Sequence, residues 1–98
     1  MEYVDAIDHL RGLVAREVLV RVSDAEAHPG FVLLHGTLGQ GEREAVSQPE
    51  SASSFFAVGD AGDGVYVYRE AFTHGSYDAE AERLTLWLGP VAIAIEPR

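Results

Sequence analysis

Ninety-eight residues leave room for one domain with one modest core and argue against a second. Sixteen carboxylates against seven arginines give a formal charge of −9, which repels phosphate backbones unless the arginines gather on one face; they are scattered along the chain, so nucleic acid is disfavoured as a partner. The absence of cysteine removes disulfides and thiolate zinc sites. No apolar run approaches the ~20 residues needed to cross a bilayer and no signal-peptide pattern opens the chain, so it reads as soluble and cytoplasmic.

In chain order, the spacing of Tyr3, Ile7, Leu10 and Val14, widened by Val4 and Leu13, predicts an amphipathic helix over about 3–14, with Asp5 and Asp8 in its first half and Arg11 and Arg16 towards its end. Gly12 weakens its continuation. At about three turns such a helix is marginal alone and must dock on something. From Glu17 the period changes to two, and Val18, Val20 and Val22 face away from Leu19 and Arg21, which predicts a strand over about 17–23. The segment SDAEAHPG is a turn. FVLLHGTLG, apolar on both faces, is a central strand over about 31–39. The polar segment from Gln40 to Ser53 is the longest loop and is expected to be the most mobile part.

Strands over about 54–59 and 64–71 flank Asp60-Ala61-Gly62-Asp63-Gly64. Two carboxylates do not fill a calcium shell, and a phosphate loop needs a following helix, where here a β-branched and aromatic run follows and lysine is absent from the chain. The knot therefore reads as a hairpin, with Asp63-Gly64 as a two-residue turn. THGSYDAEAE is a second polar connection, and RLTLWLG and PVAIAIEPR supply strands over about 83–88 and 91–96.

No constellation for catalysis, cofactor or metal emerges. His9, His28, His35 and His74 fall on four separate elements; His35 in its strand reads as half-buried, and His74, Ser76 and Asp78 are neighbours in sequence without being a triad. A hydrolase using His74 would require a concave pocket there. No catalytic, cofactor or metal residue is assigned. Alternation instead leaves an apolar surplus facing outward: Leu19, Tyr66, Tyr68 and Trp87, to which one of the two faces of FVLLHGTL adds, unless the helix covers that side. These four are candidate interface residues. The expected role is a non-catalytic protein-interaction or assembly module, a homo-oligomer formed through that aromatic face and a β edge around PVAIAIEP. The alternative is a barrel for a small ligand or a nucleic acid.

HLRGLVAREVLVRVSDA, a helix leading through a short Leu/Gly/basic segment into a first strand, and GFVLLHGTLG, with Gly36 and Gly39 placed to bend a second, resemble the Sm-like small β-barrels. That resemblance implies a mainly β fold, a small, strongly bent antiparallel barrel with one N-terminal helix; an OB-like barrel or a two-sheet sandwich is the alternative, because RLTLWLG exceeds a minimal five-stranded barrel. The family's RNA-binding signature does not carry over: Gly41-Glu42-Arg43-Glu44-Ala45-Val46 stands where an acid followed by an Asn base-contact pair is expected, and the final hairpin lacks an Arg-Gly pair.

Overall fold

The computed structural model describes residues 1–24, 31–41 and 53–98. Its elements are α1 (Tyr3–Gly12), β1 (Glu17–Asp24), β2 (Phe31–Gly41), β3 (Ser53–Val58), β4 (Gly64–Tyr68), β5 (Phe72–Asp78), β6 (Arg83–Leu88) and β7 (Val91–Pro97). The readings placed on residues 25–30 and 42–52, including His28 and the expected mobile loop, lie outside the described residues.

The fold is mainly β: seven antiparallel strands in the order β4-β3-β2-β1-β7-β6-β5. The sheet is not closed. Its two edge strands, β4 and β5, follow one another in the chain through a tight turn in which Ala71 N–H donates to the Tyr68 carbonyl (3.2 Å), yet no ladder joins them. β2 supplies the bend expected from its glycines. It pairs with β1 up to Thr37 and with β3 from Leu38 onward. At the change of partner Gly36 has φ +151° and lies so close to Gly59 that an added Cβ would sit 2.8 Å from the Gly59 Cα. Two backbones meet there, and only glycine leaves room.

Alternation along each strand sends Val18 and Val20, Phe56 and Val58, Val65 and Val67, Leu84 and Leu86, and Ile93 and Ile95 to one inner face, all buried. Onto it α1 lays Ala6, Ile7 and Leu10, followed by Leu13, in one cluster with those strand residues. Each fully buried aliphatic side chain contributes roughly 2 kcal/mol. The helix ends two residues earlier than its periodicity suggests, because Ala15 turns into the left-handed region (φ 76°) and donates its N–H to the Leu38 carbonyl at 2.8 Å. Leu38 N–H returns a bond to the Arg16 carbonyl, so the chain is pinned to the bend of β2 as it leaves the helix.

Both open edges meet the start of the chain. The Met1 nitrogen donates to the Gly75 carbonyl of β5 (2.8 Å), and Gly75 N–H donates back to the Met1 carbonyl (3.2 Å). On the opposite edge the Tyr3 hydroxyl donates to the Val67 carbonyl of β4 at 3.3 Å. Tyr3 is held by an edge-to-face contact with Phe72 and by the Arg69 guanidinium over its ring. Exposed strand edges invite pairing with other chains, and this segment occupies part of each.

Three sequence readings need correction. β7 is not an edge: β1 pairs with it on one side and β6 on the other, so PVAIAIEP offers no free ladder. THGSYD, read as a connection, is the edge strand β5, and the run expected to extend to residue 71 ends at Tyr68. The β3–β4 hairpin forms, but its turn runs from Gly59 to Asp63 with positive φ at Gly59 and Gly62, closed by Val58 N–H on the Asp63 carbonyl (2.9 Å). Gly64 lies in β4 opposite Ala57. It is glycine because the Phe55 ring packs over it, where an added Cβ would fall 2.5 Å from the ring.

Candidate functional site

The sheet presents two apolar surfaces outside its core. The first follows from length. A ten-residue helix spans about 15 Å, whereas an eight-residue strand runs about 26 Å, so α1 cannot cover the whole inner face. The uncovered part lies at the end of β1, β2 and β7, where Val22 pairs with Val32 and with Ile93. There Val22, Val32, Leu34, Val91 and Ile93 line an open hollow of about 450 Å³. Its other wall is β4, with Asp63, Gly64, Val65, Tyr66 and Tyr68. Val32 remains 57% exposed and Tyr68 49%. The rings of Tyr66 and Tyr68 stack at 5.8 Å, and Phe55 braces Tyr66 from the next strand at 4.7 Å.

The second surface is the outer face of β2-β1-β7-β6-β5. Register aligns Leu33, Arg21, Ala94, Thr85 and Ser76 in one cross-strand row, and Phe31, Ser23, Ala92, Trp87 and His74 in the next. Small residues form the middle, with Phe31 and Leu33 on one bank and Trp87 stacked on His74 (5.8 Å) on the other. Phe31 is 63% exposed and Trp87 36%. The charges on this face are mixed: Arg83 pairs with Glu96 at 3.3 Å, Arg21 lies over the Phe31 ring at 5.7 Å, and Glu17 and Asp78 lie on the same side of their strands.

Of the four residues singled out from sequence, Tyr66 and Tyr68 come together at the hollow. Leu19 and Trp87 share the outer face but stand two strands and four residue positions apart, a separation of about 16 Å, so the four make no single patch. Leu19 is half-buried between His35 and Glu96. The helix does not cover the outer face, because its buried residues belong to the inner cluster. One face of FVLLHGTL was expected outward, and Phe31 and Leu33 make up such a face, whereas the valines of the hollow escaped the sequence reading. Their alternation looks like that of core residues, and only the short reach of α1 and the end of the sheet expose them.

The histidines do not converge. His9 packs on Tyr77 at 4.4 Å, and His35 is exposed where a half-buried ring was expected. His74, Ser76 and Asp78 follow one another on the outer face at steps of about 7 Å, and the Asp78 carboxylate accepts from the Glu80 and Ala81 N–H groups of the next turn. Among the described residues no three His, Asp or Glu side chains are grouped to hold a metal, and no helix is long and apolar enough to cross a membrane. Compared with family models, curated proteins and solved structures, the chain matches none. What the residues and the fold define is a mainly β module with an open, bent antiparallel sheet.

Proposed function

We propose that this chain is a non-catalytic protein-interaction or assembly module that self-associates through the outer face around Trp87. One observation carries the reading: α1 is consumed by the inner face, leaving Phe31, Leu33 and Trp87 exposed around small residues. Flat apolar faces with aromatic banks suit a second protein surface, and aromatic residues anchor such contacts. Pairing through a β edge has less support, since the start of the chain already bonds to Gly75 and Val67. The partner change of β2 and the helix at the head of the chain support placing the module beside the Sm-like barrels, opened between β4 and β5.

Sedimentation velocity over a concentration series tests this reading. Association that weakens at least about tenfold in Trp87→Ser, the scale of an interface anchor, supports it. A strict monomer at about 1 mM, a dissociation constant worth only ~4 kcal/mol, overturns self-association. A second reading, a small apolar ligand, rests on the hollow of about 450 Å³. It predicts that a neutral apolar dye shifts the Tyr66 and Tyr68 ring resonances. A nucleic acid has no support there, because Asp63 lines the hollow and no arginine does.

A further inference from the structure

The charge beside the hollow selects its occupant. Its floor is aliphatic, with Val22 and Val32 at its end of the sheet, and its wall carries the stacked pair Tyr66 and Tyr68. Asp63 stands in the wall and Asp60 in the same turn, both exposed, on a chain of net charge −9. We infer that the hollow docks a cationic amphipathic segment of a different protein: one or two aliphatic side chains enter among the valines while flanking arginines meet Asp60 and Asp63 and lie over the tyrosine rings. This rests on the interaction-module reading and names a partner for its second surface.

Size, charge and ring chemistry agree on that occupant. A space of about 450 Å³ exceeds one leucine and falls within the range of ligand pockets. A second copy seated through its own hollow would bring its Asp60 and Asp63 to the same rim, so like charges oppose that pairing. Phosphate-bearing partners and anionic membrane surfaces are repelled for the same reason. Arginine suits the wall better than lysine, because its planar guanidinium stacks on tyrosine faces and still pairs with a carboxylate.

The test titrates the full chain, with labelled valine methyls and tyrosine rings, with a synthetic decapeptide carrying two leucines flanked by four arginines. The same peptide with glutamate in place of arginine serves as the control. The expected result is movement of the Val22, Val32, Tyr66 and Tyr68 resonances by the arginine peptide, with the glutamate peptide at least about tenfold weaker. Raising salt from about 0.05 to 0.5 M should weaken binding several-fold as screening shortens. Asp60→Asn with Asp63→Asn should weaken it by about 3- to 10-fold while the circular dichroism stays unchanged, since both side chains are exposed and Asn suits turn positions as Asp does. Val32→Ser, at an exposed position, tests the apolar part without touching the core. Equal binding of both peptides, insensitivity to salt, shifts confined to the Trp87 face, or no binding by either peptide each overturns the inference. If neither peptide binds but the chain still associates through Trp87, the module reading survives alone; if both experiments fail, both readings fall.

Discussion

The two ends of the inner face are built from the same residue types and meet different fates. At one end Val18, Val20 and Leu84 are sealed in one cluster with α1. At the other, Val22, Val32 and Val91 continue the same alternation along β1, β2 and β7 but remain partly open beside Tyr66 and Tyr68. Strand chemistry does not distinguish them. The difference is reach: a ten-residue helix, tied at its end to Leu38 on the side of the sheet away from the hollow, is shorter than the strands it covers. A core and a binding surface can thus be two stretches of one alternating pattern, separated by where the covering element stops.

That contrast breaks most sharply by truncating side chains at each end. Leu84→Ala, at a fully buried site, should cost about 2–5 kcal/mol in denaturant unfolding, a large share of the roughly 5–15 kcal/mol that holds a small domain. Val32→Ser should cost less than about 0.5 kcal/mol, as an exposed substitution. Equal losses would mean that the two ends form one core. Gly36→Ala should cost about 2 kcal/mol or more, because its Cβ would collide with the Gly59 backbone rather than with a side chain free to move. A neutral result, read by urea midpoint, would show that the bend of β2 does not need two backbones in contact.

Much of this was legible in the residues, and what was not has physical causes. α1, β1, β6 and β7 announce themselves because each buries a regular face, so period and burial coincide; β2 shows as an apolar run, although Leu38 is the one buried side chain among those described in it. β5 does not: an edge strand needs little apolar surface, only Gly75 within it is fully buried, and an irregularity between Phe72 and His74 breaks what alternation it has. Its clearest signal was indirect, since RLTLWL with a buried face needs an antiparallel neighbour on the side away from β7. The outward direction of Tyr68 and Trp87 followed from Val65, Val67, Leu86 and Leu88 facing in. Their separation onto different surfaces did not, because it depends on strand order, which local sequence does not encode. Asp63-Gly64 marked a hairpin correctly but misplaced its turn, since the glycine serves the Phe55 ring and not a positive φ.

Smaller effects probe what holds α1 in place. Tyr3→Phe deletes the hydroxyl that bonds Val67 while keeping the ring against Phe72 and Arg69. At 3.3 Å, on an edge where water can replace the lost donor, the loss should sit at the low end of the usual range, about 0.5 kcal/mol. A loss above about 1.5 kcal/mol would show that this bond, more than packing, closes the gap between β4 and β5.

Ala15→Gly should also have a small effect, and it acts at the end of α1 away from the hollow. Ala15 holds φ 76°, where a Cβ costs an L-residue roughly 1–2 kcal/mol. Glycine relieves that strain but loses about 0.5–1 kcal/mol of chain entropy on folding, so the two terms nearly cancel and the net change should lie between zero and about 1 kcal/mol of stabilisation. The bond from this residue's N–H to Leu38 survives the substitution, so the helix should still stop where it does and the hollow should stay open. Thermal unfolding and the Val32 methyl resonance measure the two halves of that expectation separately. A clear destabilisation would mean that the Ala15 methyl packs against something that matters more than its strain, and a shifted Val32 would mean that a change at the Leu38 end of α1 reaches the opposite end of the sheet.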